Sequence, residues 1–471
     1  MEEFDLIIRN GLIVGSHGCY AGDIAVSGEQ IAGIFKAGFI GKAHREIDAT
    51  GSLVLPGVID THTHIEEPFQ GLTPLEDWTA GSRNAAIGGV TTTLNFSIQD
   101  PGKNLMDKIR EHFERAGSLS CIDFNFHGVF TDYKDLGSVR KEIAEMMRFG
   151  VPSLKVFTIY SADGLYADDW SMYSVMLEMK KHGGFVGVHA ENMSIGEQMQ
   201  QSLTSSGKVH SRYWPMAKPN FVEAEAISRV AMLAQETGVN AYVVHTSTRE
   251  GVEILSSYRR KGLPIFCETC PHFLFFTDDI YEKPGIGVWQ IISPPLRKEA
   301  DKERLWQGIN RNEVSIIGSD HNAYQKGPKE KGYAEKGFMG VSNGGPGILE
   351  GLSAMYTGGV RTGRITLERL TQITSENPAK MFGLYPRKGV LAPGSDADIV
   401  IFDPEKKQIL GRHLYESMDW TVYEGMEVCG FPTHTIVRGK ILVDDGDFSG
   451  NAGDGKFIPG KMDQNLVRTI V

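Results

Sequence analysis

The first fifty residues run as short apolar bursts cut by glycines and polar turns: Phe4-Asp5-Leu6-Ile7-Ile8, Gly11-Leu12-Ile13-Val14, Asp23-Ile24-Ala25-Val26 and Ile31-Ala32-Gly33-Ile34. Bursts of that length and bounding predict β-strands. The texture returns only near the far end, at residues 397–402 and 435–443. Isolated hairpins are marginal in water, so the two terminal stretches are expected to pair. They predict a small β-sandwich domain, residues 1–54 with 385–455, and the rest of the chain inserted between them.

The middle alternates differently. Runs rich in β-branched and aromatic residues fall at 53–60, 91–96, 122–130, 153–160, 185–190, 241–247, 264–269 and 314–320. Amphipathic helical patterns separate them, at 74–87, 104–116, 136–149, 170–182, 222–237, 249–261 and 302–310. Strands alternating with helices argue for a parallel sheet, and eight such units for a (β/α)₈ TIM-like barrel over residues 55–384. An open doubly wound sheet is the alternative, but no G-x-G-x-x-G follows the first strand. Residues 456–471 are expected to form a C-terminal tail.

Composition narrows the function classes. Across 471 residues the formal charge is −11, with no basic block, so neither a nucleic acid nor an anionic membrane is an implied partner. The opening Met-Glu-Glu-Phe-Asp-Leu has no basic or apolar leader character, and no apolar run approaches the ~18 residues of a membrane span. Five cysteines (Cys19, Cys121, Cys267, Cys270 and Cys429) are an odd and mostly scattered set, which suits a reduced compartment. The expected location is cytoplasmic.

The chemistry sits at the strand ends. The first barrel run closes in Asp60-Thr61-His62-Thr63-His64, and strand alternation aims both imidazoles to one side. Other runs end in Val188-His189-Ala190-Glu191, Val244-His245-Thr246-Ser247 and Gly318-Ser319-Asp320-His321. Only 14 of 471 residues are histidine, so this placement at one end of four strands is not that of scattered surface residues. Barrel active sites lie at that end. Four imidazoles and a carboxylate suit Zn²⁺ or a related divalent ion, and five ligands exceed what one tetrahedral zinc needs. Lys155, inside Ser153-Leu154-Lys155-Val156-Phe157, is costly to bury as an ammonium. It either snorkels out, pairs with a carboxylate, or is converted by CO₂ into an anionic carbamate.

Pro56-Gly57-Val58-Ile59-Asp60-Thr61-His62-Thr63-His64, Ser153-Leu154-Lys155, Val188-His189-Ala190-Glu191, Val244-His245-Thr246-Ser247 and Gly318-Ser319-Asp320-His321 together resemble the cyclic amidohydrolases, and within them the dihydropyrimidinase/hydantoinase family. The resemblance runs to about residue 445. It implies that His62 and His64 bind a first metal with Asp320, that His189 and His245 bind a second, and that carbamylated Lys155 bridges the two. It further implies Asp320 as general base and acid, Tyr160 as oxyanion donor, and Ser293 and Asn343 as holders of the cyclic imide through backbone groups. Asp60 is expected to be a buried structural partner, and His127, His272 and His321 to support the rim. Cys267-Glu268-Thr269-Cys270 reads as core and loop packing. The implied assembly is a homotetramer.

The implied reaction is ring opening of a 5-substituted hydantoin or a dihydropyrimidine. Dihydroorotases carry an arginine where this chain has Glu66, which disfavours a carboxylated ring. Cys270-Pro271-His272-Phe273 resembles allantoinases, so allantoin is the alternative substrate, with Tyr160 weighing against it. From another class, a non-catalytic assembly protein of the same family is the competing reading, and the full set of six ligand positions argues against it. Phe69, Leu72, Phe157 and Leu165 are expected to line the pocket for the exocyclic substituent.

Overall fold

The computed structural model describes residues 3–470, and its centre is an eight-stranded all-parallel sheet. Its strands are Val58–Thr63, Val90–Ile98, Asp123–Val129, Ser153–Phe157, Phe185–His189, Asn240–Val243, Ile265–Thr269 and Ile316–Ile317, in that spatial order. A parallel bridge between Thr63 and His321 joins first strand to last and closes the barrel. Residues 53–60, expected as one strand, are two. Leu53–Pro56 pairs into the terminal sheet, and the barrel strand starts at Val58. Gly57 separates them, because a Cβ there would lie 2.1 Å from Thr91 Oγ1. The last strand is only two residues long, which brings Asp320 onto a loop rather than a strand.

Helices follow most strands as the periodicity predicts. Leu136–Phe149 starts on Asp135, whose carboxylate accepts from Gly137 N and Ser138 N, and stops at Gly150 in the left-handed region (φ 102°). Helices such as Leu105–Leu119, Leu136–Phe149 and Asn220–Thr237 lay an apolar stripe on the barrel wall, and Phe126, Val156, Val188 and Val243 belong to the one large core so formed. Among the described residues no helix is long and apolar enough to cross a membrane.

The two ends of the chain build one mixed nine-stranded sheet from strands between Glu3 and Pro56 and between Ile399 and Phe448. Leu6, Ile24 and Val26 from the first segment share a core with Ile399, Ile401 and Ile436 from the second. A buried ion cluster ties this sheet to the barrel. Lys388 Nζ meets Asp123 on a barrel strand at 2.5 Å and Asp398 beside the terminal sheet at 2.6 Å, and Arg438 also pairs with Asp123. The expected tail is more than a tail: Ile458, Val467 and Ile470 pack with Phe185, Tyr242 and Phe266 at the strand beginnings, opposite the histidines.

Candidate metal centre and active site

Strand alternation and barrel closure bring the six ligand candidates into one buried cluster. His62 and His64 project from the end of the first strand, Lys155 from the fourth, and His189 is the last residue of the fifth. His245 and Asp320 follow the sixth and eighth strands, both in the left-handed region (φ 37° and 53°). Tyr160, three residues past the fourth strand, shares that conformation at φ 69°. Such backbone costs ~1–3 kcal/mol per residue and collects at functional sites.

His62 Nε2 lies 3.2 Å from Asp320 Oδ1 and 3.0 Å from Lys155 Nζ, and His64 Nε2 lies 3.4 Å from Asp320 Oδ1. Ligand atoms of His62, His245 and Asp320 fall within 4.8 Å of one another. The imidazoles continue the cluster, with ring centres 5.3 Å apart for His62 and His245 and 4.5 Å for His189 and His245.

The donor chemistry fits divalent cations. Burial pushes His64 down to about 3, His189 to about 4 and His245 well below the imidazole range, so their ring lone pairs are free of protons. Burial alone would raise the Asp320 carboxyl, but the His62 and His64 imidazoles outweigh it and hold it well below the carboxylate range. His245 Nδ1 is buried without a hydrogen-bond partner among the described residues. An orphaned buried nitrogen on a ring within this cluster fits a metal ligand. Lys155 is 2 % exposed, and burial brings its amine down to about 8. Its hydrogen-bond partner is an imidazole and not a carboxylate.

Supporting residues fix the rings. Glu268 Oε1 accepts from His62 Nδ1 at 2.6 Å and from His245 N at 3.0 Å, which presents His62 Nε2 to the cluster. Glu191 Oε2 does the same for His189 through Nε2 at 2.9 Å. Lys218 Nζ binds that carboxylate at 2.7 Å and Ser293 Oγ at 2.5 Å. Glu268 and Lys218 were not singled out from sequence. The signal was a charged residue in an otherwise apolar strand for Glu268, read there as packing, and none marked Lys218. Asp60 accepts from His62 N and Ser319 N and so locks the strand end, as expected. His127 bonds Ser153 Oγ and the Thr61 carbonyl, and His321 bonds Glu76 and Gly347 N. His272 is buried, and its Nε2 has no partner among the described residues.

The cluster opens into a cavity of about 40 Å³ lined by His64, Lys155, His189, His245 and Asp320 together with Tyr160, Ser293 and Asn343. The Ser293 hydroxyl is spent on Glu191 and Lys218, so its backbone groups are what it can offer a ligand. Burial beside Glu191 raises the Tyr160 phenol well above its usual range, which keeps it a proton-bearing donor. Phe69, Phe157 and Leu165 line the cavity, whereas Leu72 turns back on Phe69 and does not. Glu66 points away to Arg115, with Arg115 Nε to Glu66 Oε2 at 2.9 Å, so it exerts no repulsion in the cavity and the position supplies no cation there.

Comparison with known proteins agrees with this geometry. The amidohydrolase family model matches residues 53–442. A D-hydantoinase of Ralstonia pickettii is 35 % identical over 457 residues, covering 96 % of this chain and 98 % of the relative. Among solved structures, the dihydropyrimidinase from Brevibacillus agri superposes with a TM-score of 0.93 at 33 % identity, over 97 % of this chain and 99 % of that one. The D-hydantoinase from Bacillus sp. AR9 gives 0.93 at 35 % identity, over 98 % and 100 %. With a family match over most of its length and a ligand-rich cluster at the strand ends, this chain belongs to the amidohydrolase family of metal-dependent hydrolases.

Proposed function

We propose that this enzyme hydrolyses a cyclic amide, opening a 5-substituted hydantoin or a dihydropyrimidine to the N-carbamoyl amino acid. The observation that carries the reading is that one small cavity joins the His64, Lys155, His189, His245 and Asp320 side chains to Tyr160, Ser293 and Asn343. His62, His64 and Asp320 would hold one divalent ion and His189 and His245 another, with zinc the ion that best suits imidazole and carboxylate together. Lys155 would bridge them as a carbamate. A neutral amine adds to CO₂ and loses one proton, and a buried lysine without a hydrogen-bonded carboxylate is set up for that conversion.

When bound, two divalent ions polarise a carbonyl and make water acidic enough to attack at neutral pH. The chain's own residues do the rest. Backbone groups of Ser293 and Asn343 hold the imide edge flat, which fixes the target carbonyl. Asp320 accepts a proton from the attacking water. Tyr160 donates a hydrogen bond to the oxygen that gains charge. As the ring C–N bond breaks, Asp320 returns its proton to the departing nitrogen, a base turned acid. The water oxygen ends in the new carboxylate, and no redox partner is needed.

The test is turnover of dihydrouracil, a substituted hydantoin and allantoin, with metal counted on the same sample. Two metals per chain and opening of hydantoin or dihydrouracil support the reading. Full metal with turnover of allantoin alone would replace the substrate, and no turnover after adding zinc and bicarbonate would overturn the enzyme. The resemblance also supports a cytoplasmic homotetramer, which a sedimentation mass of one chain would refute.

A further inference from the structure

One buried cation stands between the metal side of the site and the segment assigned to the ring. Lys218 is 1 % exposed and follows the short helix Trp214–Ala217, just ahead of Pro219 and the long helix Asn220–Thr237. Its main chain is tied down. Arg297 Nη1 donates to the Lys218 carbonyl, and the same guanidinium reaches Ser247 Oγ through Nε at 3.0 Å and Glu223 Oε2 through Nη2 at 3.1 Å. Trp214 Nε1 donates to the Ile292 carbonyl at 2.7 Å. Residues 214–218 and 292–297 are therefore stitched together on both sides of Ser293.

At the tip of Lys218 the bonds converge on a single carboxylate oxygen. Lys218 Nζ donates to Glu191 Oε2 at 2.7 Å and to Ser293 Oγ at 2.5 Å, and Ser293 Oγ donates to the same Oε2 at 2.7 Å. That oxygen also accepts from His189 Nε2 at 2.9 Å. Charge-assisted bonds of this length fix direction as well as distance. The rings of Tyr160 and Trp214 stand 5.3 Å and 5.1 Å from the ammonium. Apolar side chains of equal volume often hold such a corner as well as a buried ion pair does, so stability gives no reason for a cation here. What the cation adds is placement: it joins the carboxylate that orients His189 to the residue that starts the ring-holding segment.

Resting on the proposed ring-opening reaction, we infer that Lys218 is a positioning residue, which locks Glu191 to Ser293 and so sets the distance between the His189 metal ligand and the bound ring. It acts through those two side chains and not on the reacting atoms. Losing the cation releases both at once, whereas losing the Ser293 hydroxyl alone breaks only the arm towards the ring.

The experiment measures zinc affinity by chelator competition, and KM and kcat for hydantoin, in the wild type, Lys218→Met, Ser293→Ala, their double variant and Lys218→Arg. Partners that orient a metal ligand typically carry ~10–100-fold in metal affinity, so Lys218→Met should weaken the looser zinc at least tenfold. Its KM should rise about tenfold, with kcat at saturating zinc within about threefold of the wild type. Ser293→Ala should raise KM and leave zinc affinity within about threefold, and the double variant should be no worse in KM than Lys218→Met. Lys218 lines a neighbouring cavity of about 680 Å³, which leaves room for a guanidinium, so Lys218→Arg should restore both readouts. Should Lys218→Met not fold, Lys218→Gln replaces it with the same expectations. Wild-type zinc affinity or wild-type KM without the cation, additive KM losses in the double variant, or no rescue by arginine would each overturn the inference. A wild type that opens no ring with both metals bound overturns the ring-opening reading instead, and the zinc affinities then decide the role of Lys218 on their own.

Discussion

Glu268 offers the sharpest test of how the site holds metal. A carboxylate only accepts, so the 2.6 Å contact from His62 requires the proton on Nδ1, and in the neutral ring Nε2 is then the nitrogen open to a cation. The same oxygen accepts from His245 N at 3.0 Å, and the other oxygen accepts from Thr61 Oγ1 at 3.2 Å. A Glu268→Gln change can keep its carbonyl on both nitrogens and turn its amide towards Thr61, whose hydroxyl can accept. What it loses is the charge. Charged hydrogen bonds contribute ~1.5–3 kcal/mol against ~0.5–1.5 for neutral ones, a difference of ~1–1.5 kcal/mol, or about tenfold in metal affinity. A Glu268→Ala change strands three buried donors at ~1–3 kcal/mol each and frees the His62 ring, so at least a hundredfold is expected. Competition with a fluorescent chelator measures both affinities, and circular dichroism confirms the fold. Equal losses in the two variants would refute the geometric argument, and wild-type affinity in Glu268→Ala would remove Glu268 from the metal site altogether.

Three further predictions concern different parts of the molecule. On the proposed mechanism Tyr160→Phe removes one donor to the developing oxyanion, so kcat should fall by ~10²–10³ with metal content unchanged, and a loss under threefold would show that the phenol has no such task. Lys388→Met leaves Asp123 with Arg438, Asp396 with the half-exposed Arg387, and Asp398 without a paired cation, and should cost ~3–5 kcal/mol in urea unfolding. A change below 1 kcal/mol would mean that the cluster is better solvated than its burial implies. Glu350 is fully buried with Tyr415 Oη 2.6 Å from one oxygen, and burial raises its carboxyl to about 7. The folded chain then binds the proton more tightly than the unfolded chain, so its stabilising contribution is full below about 4.5 and fades as pH climbs to about 7. Glu350→Gln mimics the protonated form, and its Tm should gain on the wild type between pH 5 and pH 8; parallel Tm curves would disprove the assignment.

Ordering of the carbonyls around Ser293 shows why the site can be precise on a loop. Lys329 Nζ caps the carbonyls of Trp289 and Ile291, Trp214 Nε1 caps that of Ile292, and Lys218 holds the Ser293 hydroxyl. Each bond crosses from a separate element, so the segment is fixed by its neighbours and not by its own secondary structure.

Much of this protein could be read along the chain. Alternation with period two put His62 and His64 on one side, and repeating strand and helix patterns gave the barrel and the gathering of the candidate ligands at one end. Bursts at both termini pointed to a shared β-domain, and the sheet joins them. Boundaries fared less well at Gly57, where one apolar run serves two sheets, because a run of apolar residues carries no mark of which partner it pairs with. The role of Glu268 was hidden for a similar reason. Its partner His62 is 206 residues away, and they meet only because the barrel closes. Likewise, Phe69, Leu72, Phe157 and Leu165 are legible as apolar, but only packing decides that three of them line the small cavity while Leu72 turns back on Phe69. Sequence fixes local periodicity and residue chemistry, since both are properties of neighbours along the chain. Which distant groups touch, and where volume is left over, depends on how the elements close on each other in three dimensions.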